Sequence, residues 1–161
     1  ANHRPEAVKR IMKEPATIVT FSDAGAHLRN MAFYNFPLRF LKLVRDSAQR
    51  GESFMPLEQA VWRLTGELGE WFGIDAGRLR EGDRADVVII NPEALDERLE
   101  TYHEAEMEGM AGLRRMVNRS DGAVEAVLVN GRVAFRHGAF AEDFGKVRHY
   151  GAFLPARDVR P

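Results

Sequence analysis

The chain reads as an α/β protein, helical in its first half and strand-rich in its second. Three observations set this class. A β-branched run, Ala16-Thr17-Ile18-Val19-Thr20-Phe21, precedes long stretches in which apolar residues recur at three- and four-residue steps. After Gly73 that period gives way to short apolar runs bounded by turn residues. Among these runs, Asn130-Gly131 separates two strand-like segments, the strongest short-range hairpin signal a sequence carries.

Each element follows in order. Val8, Ile11 and Met12 lie at helical spacing between Arg4 and Glu14, and Pro15 ends that helix because the residue before a proline avoids helical backbone. Ala16–Phe21 is long enough for one buried strand. Ser22-Asp23-Ala24-Gly25-Ala26-His27 is small, polar and turn-forming, as expected at a strand-to-helix mouth. Phe33, Phe36, Phe40, Leu41 and Val44 mark a helix that Gly51 stops, with Pro37 in its first turn. Pro56 opens another helix, with Leu57, Ala60, Val61 and Leu64 on one face and Glu58 near its positive end. Gly66, Gly69 and Gly73 punctuate a last short helix carrying Trp71 and Phe72; they read as helix ends, since no strand precedes them and no Gly-Lys-Ser/Thr follows.

Gly77–Arg84 reads as a polar turn whose arginines 78, 80 and 84 are balanced by Glu81, Asp83 and Asp86. Ala85–Ile90 is a strand stopped by Asn91-Pro92. The polar stretch Glu93–Gly122 fits either a helix pair or an ordered excursion, and periodicity does not decide between them. Val124–Val129 and Arg132–Phe135 form the hairpin. Three strands with one hairpin cannot close a sandwich, and one strand with its helices makes no sheet. Each half therefore looks like a piece of something larger. Two units are expected, 1–77 and 78–161, the second with an insertion at 93–122.

Composition excludes several functions. There is no cysteine among the 161 residues, which removes disulfide scaffolds, iron–sulfur clusters, cysteine-rich zinc sites and thiol nucleophiles. The 23 basic and 24 acidic side chains leave a net charge of −1, with no general attraction to nucleic acid or anionic lipid. No apolar run approaches the roughly 20 residues that span a bilayer. Arg4, Glu6, Lys9 and Arg10 interrupt any leader-like stretch after Ala1, so the chain is expected to be cytoplasmic, and trimmed or cut from something longer. Asp143-Phe144-Gly145 spells a kinase tripeptide without kinase surroundings.

Phe21-Ser22-Asp23-Ala24-Gly25-Ala26-His27-Leu28 resembles the amidohydrolase superfamily, and within it the D-aminoacylase, or N-acyl-D-amino-acid deacylase, branch. Leu57–Val61 with Leu64-Thr65 is similar to that family's helix after the last barrel strand. Gly77–Val88 resembles its entry into a returning β-sandwich, and Val127–Val133 its closing hairpin. Four motifs in order cover most of the chain, from Ala16 to Gly138. The resemblance implies the last strand and helices of a metal-dependent-hydrolase (β/α)8 barrel, plus the C-terminal strands of a small β-sandwich. In such barrels the chemistry sits at the C-terminal ends of the strands. It implies that Asp23, beside a zinc ion and possible as a ligand to it, takes a proton from the attacking water and passes it to the leaving amine. It implies substrate contacts for Ser22 and His27.

The departure from the family is large. Its His-x-His pair, further histidines and bridging cysteine or lysine come from earlier strands and are absent. His3, His27, His103, His137 and His149 are scattered. An aspartate after a strand also commonly caps a helix or orders a turn. The expected function is therefore the C-terminal part of an amidohydrolase acting on N-acyl-D-amino acids or a related amide, inactive alone. Its expected partners are the N-terminal barrel of the same enzyme, or further copies of itself, and a small-molecule amide. Aromatics at helical spacing, among them Phe36, Phe40, Trp62, Trp71 and Phe72, should pack, some being exposed where barrel partners are missing. The alternative is a stand-alone, non-enzymatic domain for self-association or partner binding.

Overall fold

The computed structural model describes residues 4–22, 34–107, 111–117, 122–148 and 150–157. Four helices come first: α1 (Pro5–Lys13), α2 (Phe36–Gln49), α3 (Leu57–Leu64) and α4 (Gly66–Trp71). Six strands follow: β1 (Val87–Ile90), β2 (His103–Glu106), β3 (Arg114–Val117), β4 (Val124–Val129), β5 (Arg132–Arg136) and β6 (Ala139–Phe140). All pairings are antiparallel, in a four-stranded sheet ordered β1-β4-β5-β6 and a two-stranded ribbon β2-β3. The α/β class stands in this mixed form, and the described residues close no barrel. No helix among them is long and apolar enough to cross a membrane.

The helices lie where the period placed them. The expected strand Ala16–Phe21 does not form. Residues 17–22 carry no strand pairing, although Val19 is buried in the core. A ladder needs a second strand to receive its hydrogen bonds, and no described strand lies beside this segment. The second half holds more strands than the three expected, because 93–122 supplies β2 and β3 and a further hairpin adds β6.

That 93–122 stretch is an excursion, not a helix pair. Two short 3-10 turns, Pro92–Ala94 and Glu97–Glu100, run back along α2. The contacts form a bracket of like spacing on both sides. Arg39 pairs with Glu100 at 2.6 Å and Lys42 with Glu97 at 2.9 Å. Arg45 donates to the carbonyls of Pro92 and Leu95, and Asn35 Nδ2 donates to the Leu99 carbonyl at 2.9 Å. Burial pushes the Asp46 carboxyl up, but hydrogen bonds from Lys42 and Arg45 outweigh it and hold it below the usual range. Inside the bracket, Ala94, Leu95 and Leu99 join Val19, Phe40, Leu41, Val44, Met55, Ala60 and Ala123 in one core. Burying a side chain the size of Leu99 contributes about 1.5–3 kcal/mol.

Both hairpins of the sheet turn on left-handed residues. Asn130 and Gly131 have φ of 52° and 78°, the two positive values a type I′ turn requires. The turn is docked: Asn130 N–H donates to Asp86 Oδ1 at 2.6 Å and Gly131 N–H to the Ala85 carbonyl at 2.8 Å. His137 and Gly138 repeat the conformation at 50° and 81° between β5 and β6. The registers align Val88, Val127, Phe135 and Phe140 in one apolar row across all four strands. β1 itself is Val-Val-Ile-Ile, apolar on both faces, the composition of a strand covered from two sides.

The C-terminal segment is strapped to this sheet by aromatic rings. Phe140 packs edge-on to Phe135 and stacks on Phe144, which meets Tyr150 edge-on, with centroids 5.1–5.4 Å apart. The buried Tyr150 donates to Asp143 Oδ1 at 2.5 Å, and Arg132 lies 4.8 Å above its ring. The Asp143 of the kinase-like tripeptide thus has a packing role. The Tyr150 hydrogen bond, reinforced by the Arg132 charge, holds the Asp143 carboxyl below its ordinary 3.8. The Asp143 hydrogen bond raises the Tyr150 hydroxyl above its ordinary 10.0. A depressed acid stabilises the fold above its unfolded pKa and loses that effect as pH falls through the folded value. A raised phenol does so below pH 10.0 and loses it on further rise. The urea midpoint is therefore expected to hold from pH 5 to 9 and fall outside about pH 4–10. Tyr150→Phe should lower that plateau and weaken both limbs; limbs of unaltered depth in the variant refute the pairing.

Candidate functional site

The sequence-derived site lies at the end of the segment after α1, and the structure shows how that segment is held. α1 ends at Lys13 with Glu14 as C-cap, leaving its last carbonyls without helical partners. Thr17 Oγ1 donates to the Ile11 carbonyl at 2.7 Å and the Glu14 carbonyl at 2.9 Å. Arg63, on α3, completes the set. Its Nη1 donates to the Met12 carbonyl at 2.5 Å and to Glu14 at 3.3 Å, its Nη2 to Glu14 and Thr17, and its Nε to Glu67 at 3.1 Å. The Arg63 side chain is only 2% exposed. A second tie comes from Lys9, whose ammonium pairs with Glu6 at 2.9 Å and Glu52 at 3.1 Å, joining α1 to the loop after α2.

From this anchor the chain runs through buried Val19 to Phe21, which is 83% exposed, and to half-buried Ser22. Asp23 and His27 lie outside the described residues, as do His3 and His149. His103, on β2, and His137, in the β5–β6 turn, are exposed and belong to different sheets. Among the described residues no three His, Asp or Glu side chains gather in a way that could hold a metal ion. These residues alone do not fit the zinc that the resemblance implies, which needs at least three protein ligands.

The arginine turn is structural. Arg78 pairs with Glu70 at 2.9 Å and Arg84 with Asp86 at 2.5 Å, while the Arg80 backbone N–H donates to Asp83. The balancing acid for Arg78 is thus Glu70, on α4, and not Glu81. An open groove of about 640 Å³ lies between α1 and the loop after α2, lined by Glu6, Lys9, Arg10, Lys13, Glu52, Ser53 and Phe54. Its most buried charge, Lys9, is already neutralised by two carboxylates.

Arg63 is the residue sequence reading missed. It sits three positions after Ala60 and four before Glu67, so it falls on the buried face of α3 beside its helical counter-ion. The apolar stripe of Leu57, Ala60, Val61 and Leu64 pointed to a neighbouring face, on which Leu57 and Val61 are exposed, so the four-residue spacing to Glu67 was the one signal available.

No protein-family profile matches the chain, and no solved structure matches it significantly. It is 56% identical over 144 residues to uncharacterized proteins of Mycobacterium tuberculosis and Mycobacterium bovis; the match covers 89% of this chain but 24% of theirs. The chain thus spans about a quarter of the length of these curated relatives. It is also 39% identical over 62 residues to a dihydroorotase of Bacillus thuringiensis and one of Bacillus cereus, covering 38% of this chain and 13% of those enzymes. Part of this chain is therefore similar to a dihydroorotase, an enzyme of the amidohydrolase superfamily.

Proposed function

We propose that this chain is the C-terminal part of a metal-dependent amidohydrolase that cleaves the amide of N-acyl-D-amino acids or a related amide. The similarity to dihydroorotase carries the reading. The motif order from Phe21 to Val133 directs it toward the deacylase branch. Exposed aromatics support a chain that is completed by more protein: Phe21, Trp71 and Phe153 are 83%, 67% and 89% exposed. That exposure weighs against a self-sufficient binding domain. The completing part is the N-terminal barrel of the same enzyme, or further copies.

On this reading Asp23 accepts a proton from the attacking water and returns it to the leaving nitrogen, while Ser22 and His27 face the substrate. The zinc expected in the complete enzyme polarises the amide carbonyl and acidifies water when bound. The described residues do not supply its ligands.

A chimera tests the reading. The matching quarter of the M. tuberculosis relative is replaced by this chain, loaded with zinc, and assayed for amine release from N-acyl-D- and N-acyl-L-amino acids and for opening of dihydroorotate. Release from the D-series is expected. A folded, zinc-loaded chimera that leaves every amide intact overturns the proposal.

A further inference from the structure

We propose that Arg63 is a positioning residue that sets the path of Thr17–Ser22, the segment leading into Asp23. The inference rests on the functional reading above and on one independent observation, the backbone clamp around the guanidinium. Arg63 is buried, yet among the described residues its one side-chain partner is Glu67; its other donors go to the carbonyls of Met12, Glu14 and Thr17. Those acceptors straddle the point where α1 ends and the extended segment begins. Capping α1 would require only the first two. The bond to Thr17 reaches past the helix and fixes the first carbonyl of a segment that no described strand holds. A planar fork can serve several carbonyls and a carboxylate at once. A lysine ammonium, a point charge with three donors, cannot reproduce that spread. The guanidinium thus fixes, from α3, the starting point of a segment that no ladder holds.

The role differs from plain stabilisation in what it predicts. A small displacement of a reacting group lowers the rate of the chemical step far more than it lowers binding; about 1 Å costs roughly 10²-fold. In the chimera, Arg63→Lys is expected to lower kcat by about 10- to 100-fold while KM stays within about twofold. Amide hydrogen exchange should quicken across residues 17–22 and stay unchanged in β4 and β5. Arg63→Ala removes the partner of Glu67 and of the Met12 and Thr17 carbonyls and is expected to unfold, so the lysine variant decides. Faster exchange at 17–22 with unaltered kcat overturns the proposal, as does unaltered exchange, or loss of protection throughout the chain. If the unsubstituted chimera turns over none of the amides, the functional reading has failed on its own. The exchange comparison then judges the clamp: unchanged protection at 17–22 in the lysine variant overturns it.

Discussion

Asp23→Asn in the zinc-loaded chimera is expected to cut turnover by about 10²–10⁴-fold, the range that a positioned proton-transfer group contributes. The substitution is nearly isosteric and removes a negative charge. An amide neither accepts a proton from water nor returns one to an amine, so both halves of the reaction lose their shuttle. Substrate affinity should change little, since the residue acts on the proton and not on the acyl group. Zinc content is to be measured on the same sample, so that metal loss is separated from loss of the base. Retained zinc with turnover near that of the unsubstituted chimera would falsify the assignment of Asp23. His27→Gln serves as comparison and should raise KM more than it lowers kcat if that side chain faces substrate.

The second large effect concerns folding. Gly77→Ala is expected to destabilise the chain by about 2–5 kcal/mol, combining the left-handed penalty for a non-glycine residue with overpacking. Gly77 has φ +83°, and a Cβ there would lie 2.4 Å from the Thr65 carbonyl oxygen and 2.6 Å from its carbon. Both atoms are backbone, so no rotamer change relieves the contact. Gly69 faces the same joint from α4, with a Cβ position 2.3 Å from the Ala76 oxygen. The α3–α4 corner and the 74–77 turn therefore approach closer than any side chain allows. Gly82 provides the control: its φ is +87°, but nothing lies within 4 Å. Gly82→Ala should cost only the conformational part, roughly 1–2 kcal/mol. Equal urea midpoints for the two variants would remove the close approach from the account.

The same glycines show what the sequence conveyed. They read as helix ends, which holds for Gly66 as the first residue of α4 and for Gly73, with its φ of +64°, after it, but Gly69 lies within α4 and is there for contact. Helix α2 was legible because its period is internal, and β4–β5 because Asn130-Gly131 fixes its own backbone. The strand Ala16–Phe21 was misread because β-branched composition reports fitness for a sheet, and a sheet needs a neighbour. The 93–122 excursion was undecided because it is shaped by Arg39, Lys42 and Arg45 on a distant helix, not by any period of its own. Of the candidate site, Ser22 is placed at the end of the clamped segment, while Asp23 and His27 lie outside the described residues. Arg63 went unseen because its acceptors are main-chain carbonyls, which carry no mark in a sequence.

The bracket between α2 and 92–100 has a consequence for the order of folding. Its contacts join residues 55, 61 and 64 positions apart. The two hairpins, by contrast, close over tight turns. Loop-closure entropy must be met before a distant contact stabilises anything, so local hairpins form on the microsecond scale and the bracket docks afterwards. Until it docks, Leu95 and Leu99 remain in water. Salt screens Arg39–Glu100 and Lys42–Glu97 and should slow this late phase in stopped-flow refolding while sparing the fast one. A fast phase with equal salt dependence would place the bracket at the start.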